Sequence, residues 1–124
     1  EIFDIETMVP AVGQGILGIE LIDKEGYVYD LVKKLRHEPT KHAADAERAF
    51  LLALGGGCNL PIAAYAQVEG EKITINGIFA TEDGTHFSNK SIAGGIENKR
   101  TLARTLALQL KEEIEEKKNA KIEA

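Results

Sequence analysis

The sequence is most easily bounded by what it has little of. A single cysteine among 124 residues leaves no internal disulfide, which fits a reducing compartment and sets a cytoplasmic expectation. No apolar run nears the ~20 residues that span a bilayer, and no basic-then-apolar leader is visible, so nothing points to a membrane or to secretion. A basic excess is missing as well. The formal net charge of −5 argues against a general nucleic-acid surface. Internal repeats and low-complexity segments are absent, and the first residue is Glu1 rather than Met. A piece of a longer polypeptide is therefore expected. What remains is ordinary globular material, 44% apolar and 28% charged, with length enough for one domain and its own core.

The patterning along the chain predicts an α+β order. In "ILGIELID" (Ile16 to Asp23), Leu17, Ile19 and Leu21 alternate as in a strand, and residues 23–26 follow as a turn. Val28, Leu31, Val32 and Leu35 then share one helical face between Tyr27 and His37. After "HEPT", Thr40 is a candidate cap for a second helix over about Lys41 to Leu54, which the glycines at 55–57 would stop. From Ile62 to Ile92 the texture is that of three short strands, with turns at Glu69-Gly70-Glu71 and Asp83-Gly84. A last helix is expected over about Asn98 to Lys117, buried along Leu102, Leu106, Leu110 and Ile114, before a charged tail that frays.

Several motifs invite a chemical reading. Gly13, Gly15 and Gly18 spell G-x-G-x-x-G, which binds dinucleotides only where a strand precedes the glycines and a helix opens on them. Here the residues after Gly18 alternate like a strand, and a tight glycine-shaped loop is the better reading. His37, His42 and His86 lack partners at ligand spacing, and His86 falls in a predicted strand; no metal site is expected. Thr85, Ser88 and Ser91 have no base at a recognisable spacing. Cys58 is different. In "LGGGCNLPIA" (Leu54 to Ala63), three glycines precede it and Pro61 anchors the far side. A lone cysteine is commonly a small buried hydrophobe. An unshielded thiol on a glycine-rich loop also suits covalent attachment of a bulky group. On the residues alone both readings stay open.

"AERAFLLALGGGCNLPIA" (Ala46 to Ala63) closely resembles the cofactor-attachment signature of the hydroxymethylbilane synthase (porphobilinogen deaminase) family. The resemblance rests on Glu47-Arg48, Phe50, Leu54, Gly56-Gly57-Cys58 and Pro61-Ile62 followed by a small residue. Leu60 stands where the family usually has a β-branched residue. A second block, "MVPAVGQGILGIE" (Met8 to Glu20), is similar to the family's Pro-Ala-Val-Gly-Gln-Gly segment.

The resemblance implies an enzyme that joins four porphobilinogen units into 1-hydroxymethylbilane, releasing ammonia each time. The chain grows on a dipyrromethane primer held as a thioether; Cys58 matches the attachment cysteine, with Gly56 and Gly57 beside it. Thiolate sulfur is a good nucleophile toward the electrophilic methylene-pyrrolenine left when ammonia departs. Gln14, flanked by Gly13 and Gly15, matches a position near the cleft for porphobilinogen and the growing polypyrrole, where its amide would bond pyrrole substituents. The family has three domains. Residues 39–124 match the third, a three-stranded antiparallel sheet with helices on one face. Residues 1–38 match the crossing strand and helix that end the upstream domains. The catalytic aspartate and the arginine cluster would lie upstream in the same polypeptide; Arg36, Arg48, Arg100 and Arg104 match none of it, and Arg48 is expected near the cofactor loop, paired with a carboxylate. No catalytic residue falls in this stretch, so the isolated chain is expected to be inactive and to carry a free thiol, its apolar arm open to self-association. The alternative is a non-catalytic module that binds tetrapyrroles or pairs with a separate N-terminal chain.

Overall fold

A computed structural model describes residues 1–22, 24–56 and 59–123. Its elements are helix α1 (Tyr27–Lys33), helix α2 (Glu38–Ala53), strands β1 (Ile62–Glu69), β2 (Lys72–Ala80) and β3 (Phe87–Gly95), and helix α3 (Lys99–Glu123). A short 3₁₀ turn, Ile96–Asn98, leads into α3. The strands form one antiparallel sheet in the order β1-β2-β3, with α2 and α3 packed against it. This is the expected α+β class.

Side-chain size decides how closely the layers approach. The buried stripe of α2 is built from Ala43, Ala46, Ala49, Phe50 and Leu54, and it meets Ala64 and Ala66 of β1. Small residues on both sides bring the helix close to the strand. Phe50 is the one large group on that stripe, and Gly77 of β2 makes space for its ring. A Cβ at Gly77 would lie 2.7 Å from two ring carbons and 3.1 Å from Leu106. Ile73 and Ile75 fill the middle of the sheet, while Leu106, Leu110 and Ile114 form the buried stripe of α3 with Ala103 and Ala107. Leu102 is half-buried at its start, in contact with this core. The two loops between strands fall at the predicted turns. Gly70 takes a φ of +61° between Glu69 and Lys72. In the second loop Asp83 accepts hydrogen bonds from the Thr81 hydroxyl (2.7 Å), the Thr85 hydroxyl (2.8 Å) and the Thr85 N–H (3.0 Å).

The N-terminal third departs from its pattern. Residues 16–21 form no strand. A single strand is not stable without a partner, and along the near edge of the sheet Pro10, not this segment, reaches β1 through its carbonyl. Helix α1 ends at Lys33 with none of its residues buried, because a short helix without tertiary packing is not sustained. Of the turn expected at 23–26, Asp23 lies outside the described residues, and Gly26 takes a φ of +104° just before α1. Helix α2 starts earlier than expected, with His37 at the cap position and Pro39 in the first turn, where a missing N–H costs nothing. Thr40 is inside the helix and its hydroxyl meets His37 Nδ1 at 2.7 Å instead of capping. His86 lies in the loop before β3, not in a strand. The tail does not fray at Lys117. The α3 backbone runs on to Glu123, held near its turn by Lys90–Glu113 and Lys117–Glu113 pairs (both 3.1 Å) and by a bond from the Lys117 ammonium to the Phe87 carbonyl.

Candidate functional site

The Pro10–Gly15 segment is docked on the edge of the sheet. The Ala64 N–H of β1 donates to the Pro10 carbonyl (3.1 Å), and Val12 packs against the core. Residues 12–15 then turn sharply, with the Gln14 N–H donating to the Ala11 carbonyl (3.0 Å) and the Ile16 N–H to the Gly13 carbonyl (3.2 Å). Gly13 and Gly15 sit at φ +75° and +78°, a region that side chains avoid. The turn therefore needs its glycines for backbone conformation. No helix opens on it, and the dinucleotide reading has no structural support here. Gln14 is exposed at the tip.

Glu47 fixes this turn. It lies on the buried stripe of α2, only 3% exposed, and its two oxygens serve two different segments. Oε1 accepts the Gly13 N–H at 3.0 Å and Oε2 accepts the Ala66 N–H at 3.3 Å. Burial pushes the Glu47 carboxyl above its ordinary range, and the two N–H groups oppose that rise without cancelling it. The sequence reading noted Glu47 only as part of a motif. Its position was the available signal: with Ala43, Ala46, Phe50 and Leu54 on one helical stripe, a carboxylate at 47 must find donors inside the fold.

At its far end α2 stops in a Schellman motif. The Gly56 N–H donates to the Leu51 carbonyl (2.9 Å) and the Gly55 N–H to the Leu52 carbonyl (3.1 Å), with Gly55 at φ +99° and Gly56 at +58°. The Lys111 ammonium of α3 donates to the Ala53 carbonyl (3.0 Å), adding a cation at the helix C-terminus. The first two glycines of the run thus end a helix, a role separate from any room they leave for a ligand. A Cβ at Gly55 would meet nothing within 4 Å. Gly57 and Cys58 lie outside the described residues. The chain is described again from Asn59, and the Pro61 carbonyl accepts the Ala80 N–H of β2 (3.2 Å), which anchors the entry to β1.

Arg48 does not make its expected ion pair among the described residues. The nearby carboxylate, Asp45, is taken by Lys41 (3.0 Å), Lys99 (2.9 Å) and the more distant Arg100 (3.6 Å). Arg48 instead lines a surface groove between α2 and α3 with Arg100 and Arg104. No group of three or more metal-ligating side chains occurs among the described residues.

Fold and site together define a class: an α+β unit of three antiparallel strands under two helices, which holds a glycine turn from its N-terminal side against its edge strand. Comparison with known proteins supplies the family. Residues 41–116, more than half the chain, match the family model described as porphobilinogen deaminase, C-terminal domain. The chain is 38% identical over 110 residues to the porphobilinogen deaminase of Geobacter sulfurreducens, covering 89% of this chain and 35% of that protein. It is 41% identical over 103 residues to that of a Synechococcus strain, covering 83% and 33%, and 38% identical over 114 residues to that of Alkaliphilus metalliredigens, covering 92% and 35%. The chain belongs to the porphobilinogen deaminase family. It spans about a third of the length of the curated relatives it matches.

Proposed function

We propose that this chain is the cofactor-carrying C-terminal part of a porphobilinogen deaminase, an enzyme of tetrapyrrole biosynthesis that condenses four porphobilinogen molecules into 1-hydroxymethylbilane with loss of ammonia. In this reading residues 39–124 are the cofactor domain and residues 1–38 the end of the upstream domains, in a cytoplasmic protein. The observation that carries it is structural as well as sequential: the two signature blocks, far apart in the chain, are joined through Glu47. It is supported too by the end of α2, where Gly55 and Gly56 are exposed and open space beside Gly55 leaves room for a bulky group on that side.

Cys58 would hold the dipyrromethane as a thioether, its thiolate being the nucleophile that forms the carbon–sulfur bond. When bound, that group supplies the pyrrole terminus on which the product grows. Gln14, exposed at the tip of the turn, orients acetate or propionate substituents by donating from its side-chain amide. The acid–base chemistry and the guanidinium partners of those carboxylates belong to the upstream portion.

The test is reconstitution. The chain is mixed with the upstream two-thirds of the Geobacter sulfurreducens enzyme, supplied with porphobilinogen, and assayed for uroporphyrin-type absorbance after oxidation. Turnover in the mixture and none with either part alone is the expected result, with an intact mass on Cys58 raised by a dipyrromethane. Tight association without turnover would instead favour a non-catalytic tetrapyrrole-binding module.

A further inference from the structure

Glu47 is an expensive way to fill its position. A carboxylate that is 3% exposed and makes no ion pair among the described residues loses hydration that two backbone N–H groups only partly replace. An apolar side chain there would extend the stripe of Ala43, Ala46 and Phe50 at lower cost. What an apolar side chain cannot do is accept hydrogen bonds from two segments at once. One oxygen of Glu47 holds Gly13 and the other holds Ala66. The residue thereby ties together α2, which leads into the connection bearing Cys58, β1, which leads out of it, and the turn bearing Gln14.

We propose that Glu47 is a positioning residue that sets where the Gly13–Gln14–Gly15 turn stands relative to the C-terminal part of α2 and the start of β1. The inference rests on the deaminase reading for its functional consequence, and on the geometry alone for the clamp. Gly13 lies outside the span matched by the C-terminal-domain model, residues 41–116, so the clamp also fastens the domain to what precedes it. Among the described residues the Pro10–Ala64 bond and the packing of Val12 fasten it there as well. Glu47 adds the side-chain hydrogen bond that reaches the turn itself, at Gly13.

The clamp is tested on this chain by amide hydrogen exchange in wild type, Glu47→Ala and Glu47→Gln. In Glu47→Ala the Gly13 and Ala66 amides are expected to exchange at least about tenfold faster, while Ile75 in β2 keeps its wild-type rate. In Glu47→Gln one carbonyl oxygen remains, so one of the two amides keeps its protection and the other loses it. An unchanged Gly13 rate in Glu47→Ala would overturn the clamp, and so would parallel acceleration at Ile75, which marks general loss of structure. The functional arm repeats the reconstituted assay with Glu47→Gln. A fall in kcat of about tenfold or more with KM for porphobilinogen nearly unchanged is the expected signature of misplacement. If the wild-type mixture turns over and the variant keeps its kcat, the positioning role is wrong and the deaminase reading stands. If the wild-type mixture is inactive, the deaminase reading fails, and the exchange rates still decide whether Glu47 holds the turn.

Discussion

From Glu38 onward the chain has a core: Phe50, Ile73, Ile75, Leu106, Leu110 and Ile114 are closed off from solvent, and Leu52, Phe87 and Leu108 are the large apolar side chains left out among the described residues. Before Glu38 no large apolar side chain among the described residues is fully buried, and many are exposed. Ile2 and Leu17 are 98% and 97% accessible, and Met8, Ile19, Ile22, Tyr27, Val28 and Leu35 are also out. Composition does not separate the two regions; partners do. The helices and sheet of the C-terminal region have each other. The arm has apolar residues at strand and helix spacing and little to set them against, in a chain that spans about a third of its relatives' length. Exposed apolar side chains gathered on one segment are what a contact surface presents. The contrast teaches that a domain's stability and its readiness to be joined to something else can be assigned to different stretches of one chain.

Mutation can break the contrast most sharply at Phe50. Phe50→Ala is expected to cost about 3–5 kcal/mol, read as a fall in the urea midpoint, since the ring is fully buried between α2, Gly77 and Leu106. Leu17→Ala on the arm should stay within about 0.5 kcal/mol of wild type. Comparable losses for the two would show that the arm has a core of its own.

Gly77→Ala sharpens the same point from the other side. The added methyl would press on the Phe50 ring at 2.7 Å, and overpacking of this kind costs roughly 1–3 kcal/mol. Combining it with Phe50→Leu, which shortens the opposing group, should be less damaging than the sum of the two changes. Strict additivity would mean that the ring and the glycine are not matched to each other.

The C-terminal region is legible because its periodicities are enforced locally and tertiary contacts agree with them. Leu106, Leu110 and Ile114 read as a buried stripe and are one, and Asp83-Gly84 reads as a turn and is one. The stretch from Ile16 to Leu21 has an equally clear alternation and forms no strand, because alternation records what a segment can pair with and not whether the pair is present. Thr40 misled for a different reason. Its hydroxyl is a good cap in isolation, and Pro39 one residue earlier fits the first turn better. At the site, the resemblance names Cys58 and Gln14 and passes over the work of Glu47. A carboxylate on an apolar stripe announces that donors exist without saying where they come from, and Gly13 lies more than thirty residues away in sequence.

The comparison can be narrowed to two carboxylates on α2, Asp45 and Glu47, which titrate in opposite senses. Burial works against the Asp45 charge, but bonds from Lys99 and Lys41 outweigh it and bring the pKa down to about 2. A carboxyl depressed in the folded state stabilises above its unfolded value near 3.8, and that contribution is lost as pH falls toward 2. Asp45→Asn should therefore cost about 1 kcal/mol at pH 7, allowing for solvent screening of a partly exposed network. The difference from wild type should shrink steadily in urea titrations carried below pH 4.

Glu47 should do the reverse. Its folded pKa lies above the ordinary 4.5 because burial outweighs the bonds from Gly13 and Ala66. Between the unfolded and folded values the native state binds more protons than the unfolded chain, so stability rises as pH falls through that window. Above it the ionised carboxylate is a net burden. Glu47→Gln removes the titration, so the wild-type-minus-variant stability should increase on acidification, where wild type minus Asp45→Asn decreases. Parallel slopes for the two pairs would mean that Glu47 is compensated by a cation after all, and that its hold on Gly13 is incidental to an ion pair. Opposite slopes would leave the backbone N–H groups of Gly13 and Ala66 as what holds the charge in place.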